Sequence, residues 1–169
     1  YLKSDTHLTQ EWQDKFDRAR PNVGLVWSGN PSRQDDHMRS CPPEFLHSIL
    51  EVGGCHFVSL QKEGVPQSLV PLSDLSAELT DFSQTAAVIM ALDLVITVDT
   101  AVAHLAGALG KPVWVMLGYT ADWRYLLSRE DSPWYPTMRL FRQTSPGDWI
   151  SLTTKLASEL KSWILVGRS

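Results

Sequence analysis

The sequence predicts an α/β fold, a parallel sheet with helices on both faces, and three observations carry that prediction. Apolar stretches of strand length alternate with stretches of helical periodicity along most of the chain. Several strand candidates, above all Leu94-Val95-Ile96-Thr97-Val98, are apolar at nearly every position, as a strand covered on both faces requires. The intervening segments are long enough for the crossovers that parallel neighbours need.

Taken in order, Leu8, Trp12 and Phe16 recur at helical spacing ahead of Pro21 and predict an amphipathic helix. Residues 1–22 are therefore read as a linker helix from an upstream part, and residues 23–169 as the domain proper. Val23-Gly24-Leu25-Val26-Trp27 makes the first strand, stopped by the turn formers Ser28-Gly29-Asn30-Pro31. A long polar loop follows to Pro42-Pro43. Proline in the first turn of a helix gives up no needed hydrogen bond, so residues 44–50 are predicted helical. Gly53-Gly54 ends that helix, and a second strand over 56–60 leads to Gln61-Lys62. Residues 63–80 carry a weaker signal, with a short strand expected within 69–72 or 75–79.

A helix over 83–92 precedes the strand at 94–98. Asp99-Thr100 then opens a helix that runs through His104 and Leu105 to Gly110, a residue suited to the left-handed conformation that ends many helices. The strand at 113–117 ends at Gly118, and residues 119–136, rich in Trp, Tyr and charge, form a functional loop with a short helix. A last strand at 138–141 and an amphipathic helix at 150–163 complete a Rossmann-like layout without internal repeats.

Composition narrows the function classes. With 43% hydrophobic and 20% charged residues in 169, the chain matches an ordinary globular domain. A net charge of −4 argues against a general nucleic-acid partner, whose phosphate backbone demands clustered Lys and Arg. No apolar run reaches the ~20 residues of a membrane span and no signal peptide is visible, so the expected location is cytoplasmic. Cys41 and Cys55 lack metal or disulfide-framework spacing and are read as reduced structural thiols. Asp35-Asp36 and His37 lie on a loop with no supporting ligand spacing, so neither a metal nor another cofactor is expected.

Ligands of such sheets sit beyond the carboxyl ends of the strands. Four of those ends are polar: Ser28-Gly29-Asn30, Gln61-Lys62, Asp99-Thr100 with His104, and Gly118 through Arg124. The third offers free helix N–H groups and a positive dipole end, which suit a diphosphate. Thr100 adds a hydroxyl, small Ala101 and Ala103 allow close approach, and His104 leans back along the same helix face. The plainer reading, in which Asp99 or Thr100 only caps the helix and His104 is a structural histidine, stands beside it. Arg33, Arg39 and Lys62 are candidate phosphate cations, though basic residues on loops are commonly just solvated. Tyr119 and Trp123 are candidates for stacking on a base or sugar, while Trp134 and Tyr135 are read as pinning the loop to the sheet. The first strand is not followed by G-x-G-x-x-G, which disfavours a dinucleotide-binding dehydrogenase, and no P-loop is present.

The block Asp99-Thr100-Ala101-Val102-Ala103-His104-Leu105-Ala106-Gly107-Ala108-Leu109-Gly110-Lys111-Pro112-Val113 resembles the signature of the family 9 glycosyltransferases, the group of the heptosyltransferases. Residues 23–30, 39–46, 57–62 and 122–142 are similar to the glycosyltransferase domains of bacterial tetratricopeptide-repeat proteins. The resemblance implies the C-terminal, donor-binding lobe of a GT-B fold acting on a nucleotide-diphosphate sugar. It further implies donor contacts from Asp99, Thr100, Ala101 and His104, with Arg39 where heptosyltransferases tend to carry lysine. Ala101 stands where the heptosyltransferase pattern has glycine. The full donor set is expected to be Ser28, Gly29, Asn30, Arg39, Gln61, Lys62, Asp99, Thr100, Ala101, His104 and Asp122. The resemblance places the catalytic base, unknown here, on an N-terminal acceptor lobe, with tetratricopeptide repeats among the expected upstream parts, so this piece alone is expected to be inactive. The rival readings are a scaffold or nucleotide-sensing domain of the same fold, and a sugar-nucleotide epimerase or hydrolase.

Overall fold

Six parallel strands form one sheet in the order β3-β2-β1-β4-β5-β6. In this computed structural model residues 2–32, 34–69, 72–126 and 129–167 are described. The strands are β1 (Asn22–Val26), β2 (His56–Ser59), β3 (Ser73–Asp74), β4 (Leu94–Val98), β5 (Val113–Leu117) and β6 (Met138–Arg142). The helices are α1 (Thr6–Lys15), α2 (Asp36–Arg39), α3 (His47–Leu50), α4 (Phe82–Ala91), α5 (Ala101–Ala108) and α6 (Trp149–Val166), with 3-10 turns at Pro43–Leu46, Gln67–Leu69 and Trp123–Tyr125. The α/β parallel sheet expected from the sequence is the fold observed.

Alternation along each strand sends its side chains to two separate cores. Val23, Leu25, Leu94, Ile96, Val98 and Met116 pack with Ile49 of α3 and with Leu152, Leu156 and Leu160 of α6. Val26, Val58, Val95, Val115 and Leu117 pack on the opposite face with Val88 and Ile89 of α4 and Ala103 and Ala106 of α5. Gly24 lets this second face close tightly, since a Cβ there would lie 2.6 Å from Leu92 Cδ1. Helix α1 belongs to the same face: Trp12 is buried in it, and the indole Nε1 donates to Gln84 Oε1 of α4 at 3.3 Å.

Three local differences from the sequence reading matter. The short strand expected within 63–80 falls at Ser73–Asp74, between the two stretches proposed for it. It is fixed by parallel pairing with Val58 and Ser59 and carries no apolar run of its own. The helix expected over 44–50 divides into the Pro43–Leu46 turn and α3. The polar loop before Pro42 contains α2, whose residues are all incompletely buried. Arg33 and residues 70 and 71, part of the 69–72 expectation, lie outside the described residues.

Candidate functional site

The carboxyl ends of β1, β2, β4 and β5 meet along one edge of the sheet, and a cleft of about 860 Å³ opens there. Ser28, Gly29, Asn30 and Arg39 form one wall, Gln61 and Lys62 a second, and Thr100 and Ala101 a third. Glu63, Thr80, Asp81, Phe82 and Thr85 also line it. Sequence reasoning missed those five: Glu63 directly follows Lys62 at the end of β2, while Thr80, Asp81, Phe82 and Thr85 come to the site only through the fold that places the start of α4 beside it.

The loop after β1 is tied down before it reaches the cleft. Buried Gln61 accepts from the amides of Trp27 (3.3 Å) and Ser28 (3.2 Å), and its Nε2 donates to Ser28 Oγ and Glu63 Oε2, both at 2.7 Å. Gln61 is thus committed to joining two strand ends. Helix α2 folds back over the same edge: Ser40 Oγ accepts from Gly29 N at 2.9 Å and donates to Asp36 Oδ2 at 2.9 Å. The approach is close enough that a Cβ on Gly29 would lie 2.6 Å from Asp36 Oδ1, and one on Gly118 only 2.2 Å from the Met38 carbonyl oxygen. This packing turns the Arg39 side chain, only 17% exposed, to the cleft wall.

Helix α5 begins at that wall, and its N-terminus differs from the others of eight residues or more. Asp5, Asp81 and Asp148 each accept a hydrogen bond from a first-turn amide of α1, α4 and α6. Thr100, the corresponding residue of α5, makes no side-chain cap bond. Its hydroxyl lies 3.1 Å from that of Thr97, which donates to the Val98 carbonyl at 2.8 Å. The first-turn N–H groups of α5 are therefore without a side-chain acceptor, beside a cleft that Thr100 and Ala101 line.

Asp99 sits just behind this end, 6% exposed, and organises its surroundings. Its Oδ1 accepts from Tyr125 Oη at 2.8 Å, and its backbone oxygen accepts from Arg39 Nη2 at 2.6 Å. Asp99 Oδ2 lies 3.8 Å from Arg39 Nη1, and His104 Nε2 lies 3.9 Å from Asp99 Oδ1. Asp99 borders a small hollow of about 120 Å³ with Arg39, Gly118 and Asp122. Asp122 accepts from Arg124 N at 3.0 Å and pairs with Arg124 Nε at 2.8 Å, and that pairing holds its carboxyl below the usual range.

His104 leans back toward the start of α5, as its position on the helix predicts, but it does not line the large cleft. It borders a third hollow of about 580 Å³ with Trp123, Arg124, Trp134 and Tyr135, and Tyr135 Oη is 3.4 Å from its Nδ1. Burial, and then the charge of Arg124, lowers its pKa and favours the neutral ring. Trp134 and Tyr135 do pin the loop: the Trp134 indole donates to the Arg124 carbonyl at 3.1 Å, and Tyr135 packs so close to Gly107 that a Cβ there would clash at 2.5 Å. Phe82 and Trp123, 67% and 73% exposed, offer free aromatic faces to the cleft and the third hollow. Among the described residues, no three His, Cys, Asp or Glu side chains converge as metal ligands, and no helix is long and apolar enough to cross a membrane.

With this geometry in place, comparison with known proteins gives it a family context. Residues 73–145 match the family model for glycosyltransferase family 9 (heptosyltransferase), a segment that contains Asp99, Thr100, Ala101, His104, Asp122 and Tyr125. Protein FlbA of Caulobacter vibrioides is 26% identical over 175 residues, which cover 96% of this chain and 29% of FlbA. The ADP-heptose LPS heptosyltransferase II of E. coli superposes with a TM-score of 0.67 at 17% identity, over 99% of this chain and 54% of that one. A family 9 glycosyl transferase from Veillonella parvula DSM 2008 gives a TM-score of 0.62 at 13% identity with the same coverage. This chain thus spans less than a third of FlbA and about half of each solved structure. The resemblance to the family 9 glycosyltransferases is shown, and with it the sharing of their heptosyltransferase-type α/β fold.

Proposed function

We propose that this chain is the donor-binding, C-terminal lobe of a two-lobed GT-B glycosyltransferase, and that it holds the diphosphate of a nucleotide sugar against the N-terminus of α5. The observation that carries the reading is the start of α5, uncapped while the other long helices are capped by aspartates, and open to a cleft of about 860 Å³. An anion there meets first-turn amides that the Thr100 side chain does not cap, and a favourable dipole. Arg39, held at the same wall, supplies the cation.

In sugar transfer this lobe stabilises the departing nucleotide diphosphate, whose negative charge grows as the glycosidic bond to the donor breaks. The α5 amides and Arg39 are fixed before reaction, so they stabilise that charge without reorganising. Deprotonation of the acceptor hydroxyl is assigned to an N-terminal lobe beyond this chain, in a cytoplasmic protein of the tetratricopeptide-repeat type.

Calorimetric titration with UDP, ADP, GDP and CMP tests the reading. One nucleotide should bind saturably, and Arg39→Gln should weaken it about tenfold to a hundredfold, the loss expected for a hydrogen bond to a charged group. A scaffold predicts no saturable binding to the full-length protein, and an epimerase or hydrolase predicts that it consumes the sugar nucleotide with no acceptor present. Either result overturns the proposal.

A further inference from the structure

We infer that Tyr125 is a positioning residue of the donor site, fixing the Asp99 carboxylate so that Arg39 stays aimed at the diphosphate; the inference rests on the donor-site reading above. Tyr125 comes from the 3-10 turn Trp123–Tyr125 in the aromatic loop, and its side chain is 2% exposed. A buried phenol needs a partner for its hydroxyl, and the partner here is Asp99 Oδ1 at 2.8 Å. Burial, followed by the nearby Asp99 charge, pushes its pKa well up, so the phenol keeps its proton and remains the donor.

The two oxygens of Asp99 are thereby given different tasks. Oδ1 is held by Tyr125, while Oδ2 faces Arg39 Nη1 at 3.8 Å, too long for a direct hydrogen bond. The guanidinium instead anchors through Nη2 to the Asp99 backbone oxygen, and its Nε has no partner. Asp99 therefore attracts Arg39 Nη1 without capturing it, and that nitrogen is left for a ligand of the cleft Arg39 lines, whereas Nε is buried. The backbone sets Tyr125 in place for this: Arg142 Nη2 donates to its carbonyl oxygen, and the following Leu126 turns the chain with a φ of 56°.

Without the phenol hydroxyl, the buried carboxylate satisfies its freed oxygen by rotating toward Arg39 and drawing the guanidinium into a closed pair. The test compares the full-length protein with Tyr125→Phe, Arg39→Gln and the double variant, using ADP, UDP and GDP, inorganic pyrophosphate, and the corresponding nucleosides. Tyr125→Phe should weaken the favoured diphosphate and pyrophosphate about tenfold or more, yet change nucleoside binding by less than about twofold. In the Arg39→Gln background it should add nothing, because its effect passes through the guanidinium. Phenylalanine keeps the ring. If it nevertheless unfolds the protein, Asp99→Asn tests the same link and should show the same phosphate-selective loss.

Unchanged diphosphate binding in Tyr125→Phe, an equal loss for nucleosides, or full additivity with Arg39→Gln would overturn the inference alone. A wild-type protein that binds none of these ligands would overturn the donor-site reading itself.

Discussion

Replacing Gly118 by alanine should both destabilise the chain and weaken its cleft, although the change adds a single methyl group. The new Cβ would stand 2.2 Å from the Met38 carbonyl oxygen and 3.4 Å from its carbon. Even close C–H···O contacts keep the heavy atoms about 3.3–3.6 Å apart, so the two backbones must separate by roughly 1 Å. The obstacle is main chain and cannot rotate away as a side-chain end could. Overpacking of this kind costs about 1–3 kcal/mol. At roughly 2–4 °C per kcal/mol for a chain of this size, the unfolding midpoint should fall by about 2–12 °C. Met38 immediately precedes Arg39, so its retreat also draws the guanidinium from the cleft wall and weakens nucleotide diphosphate binding. Thermal unfolding followed by circular dichroism, paired with calorimetric titration, reads both effects. Gly53→Ala is the internal control, because nothing lies within 4 Å of its added Cβ and its φ is ordinary. If Gly118→Ala matches that control in both measurements, α2 does not close against the end of β5 and the proposed support of Arg39 is wrong.

Acid should lower stability before the carboxylates titrate. Burial holds the pKa of His104 and His56 below the ordinary 6.5, so the unfolded chain takes up protons first and the stability present above pH 6.5 is lost as pH falls through the folded values. Unfolding midpoints measured from pH 7.5 downward should show this fall, and a smaller one in His104→Gln; an unchanged slope in that variant would contradict the burial of the ring. Burial also pushes the thiols of Cys41 and Cys55 up to about 12 and about 11. Both should resist a thiolate-selective reagent at pH 8 until the chain unfolds, and rapid labelling of the folded chain would refute the packing described.

The sequence revealed those parts of the fold whose signals are local. Residues 94–98 and 113–117 read as strands because nearly every position is apolar, and their burial agrees; Gly110 marked a helix end because glycine accepts the left-handed conformation, and its φ is 75°. Helix α2 was hidden because four residues with none buried leave no periodicity. Strand β3 was hidden because Ser73 and Asp74 owe their conformation to a neighbouring strand. The site divides the same way. Polar strand ends are visible in a sequence, whereas Phe82 and Thr85 enter the cleft by tertiary placement of α4. Tyr125 escaped notice for the same reason, since its partner Asp99 lies 26 residues away.

Thr100 is the residue whose part changes most when geometry is added to sequence. A threonine opening a helix invites two readings, cap or ligand hydroxyl, and the structure shows no cap bond from its side chain. Thr97 spends its proton on the Val98 carbonyl, so in the Thr97–Thr100 contact the proton comes from Thr100. A phosphate oxygen could gain that hydroxyl only by breaking an existing bond, which leaves little net advantage. The favourable contacts in the proposed site therefore fall to the backbone amides of α5 and to Arg39. A site built from main chain depends on close approach more than on side-chain chemistry. The small Ala101 at the first turn then becomes the position that sets how near the diphosphate can come. By this reasoning a larger residue at Ala101 should harm binding more than removal of the Thr100 hydroxyl.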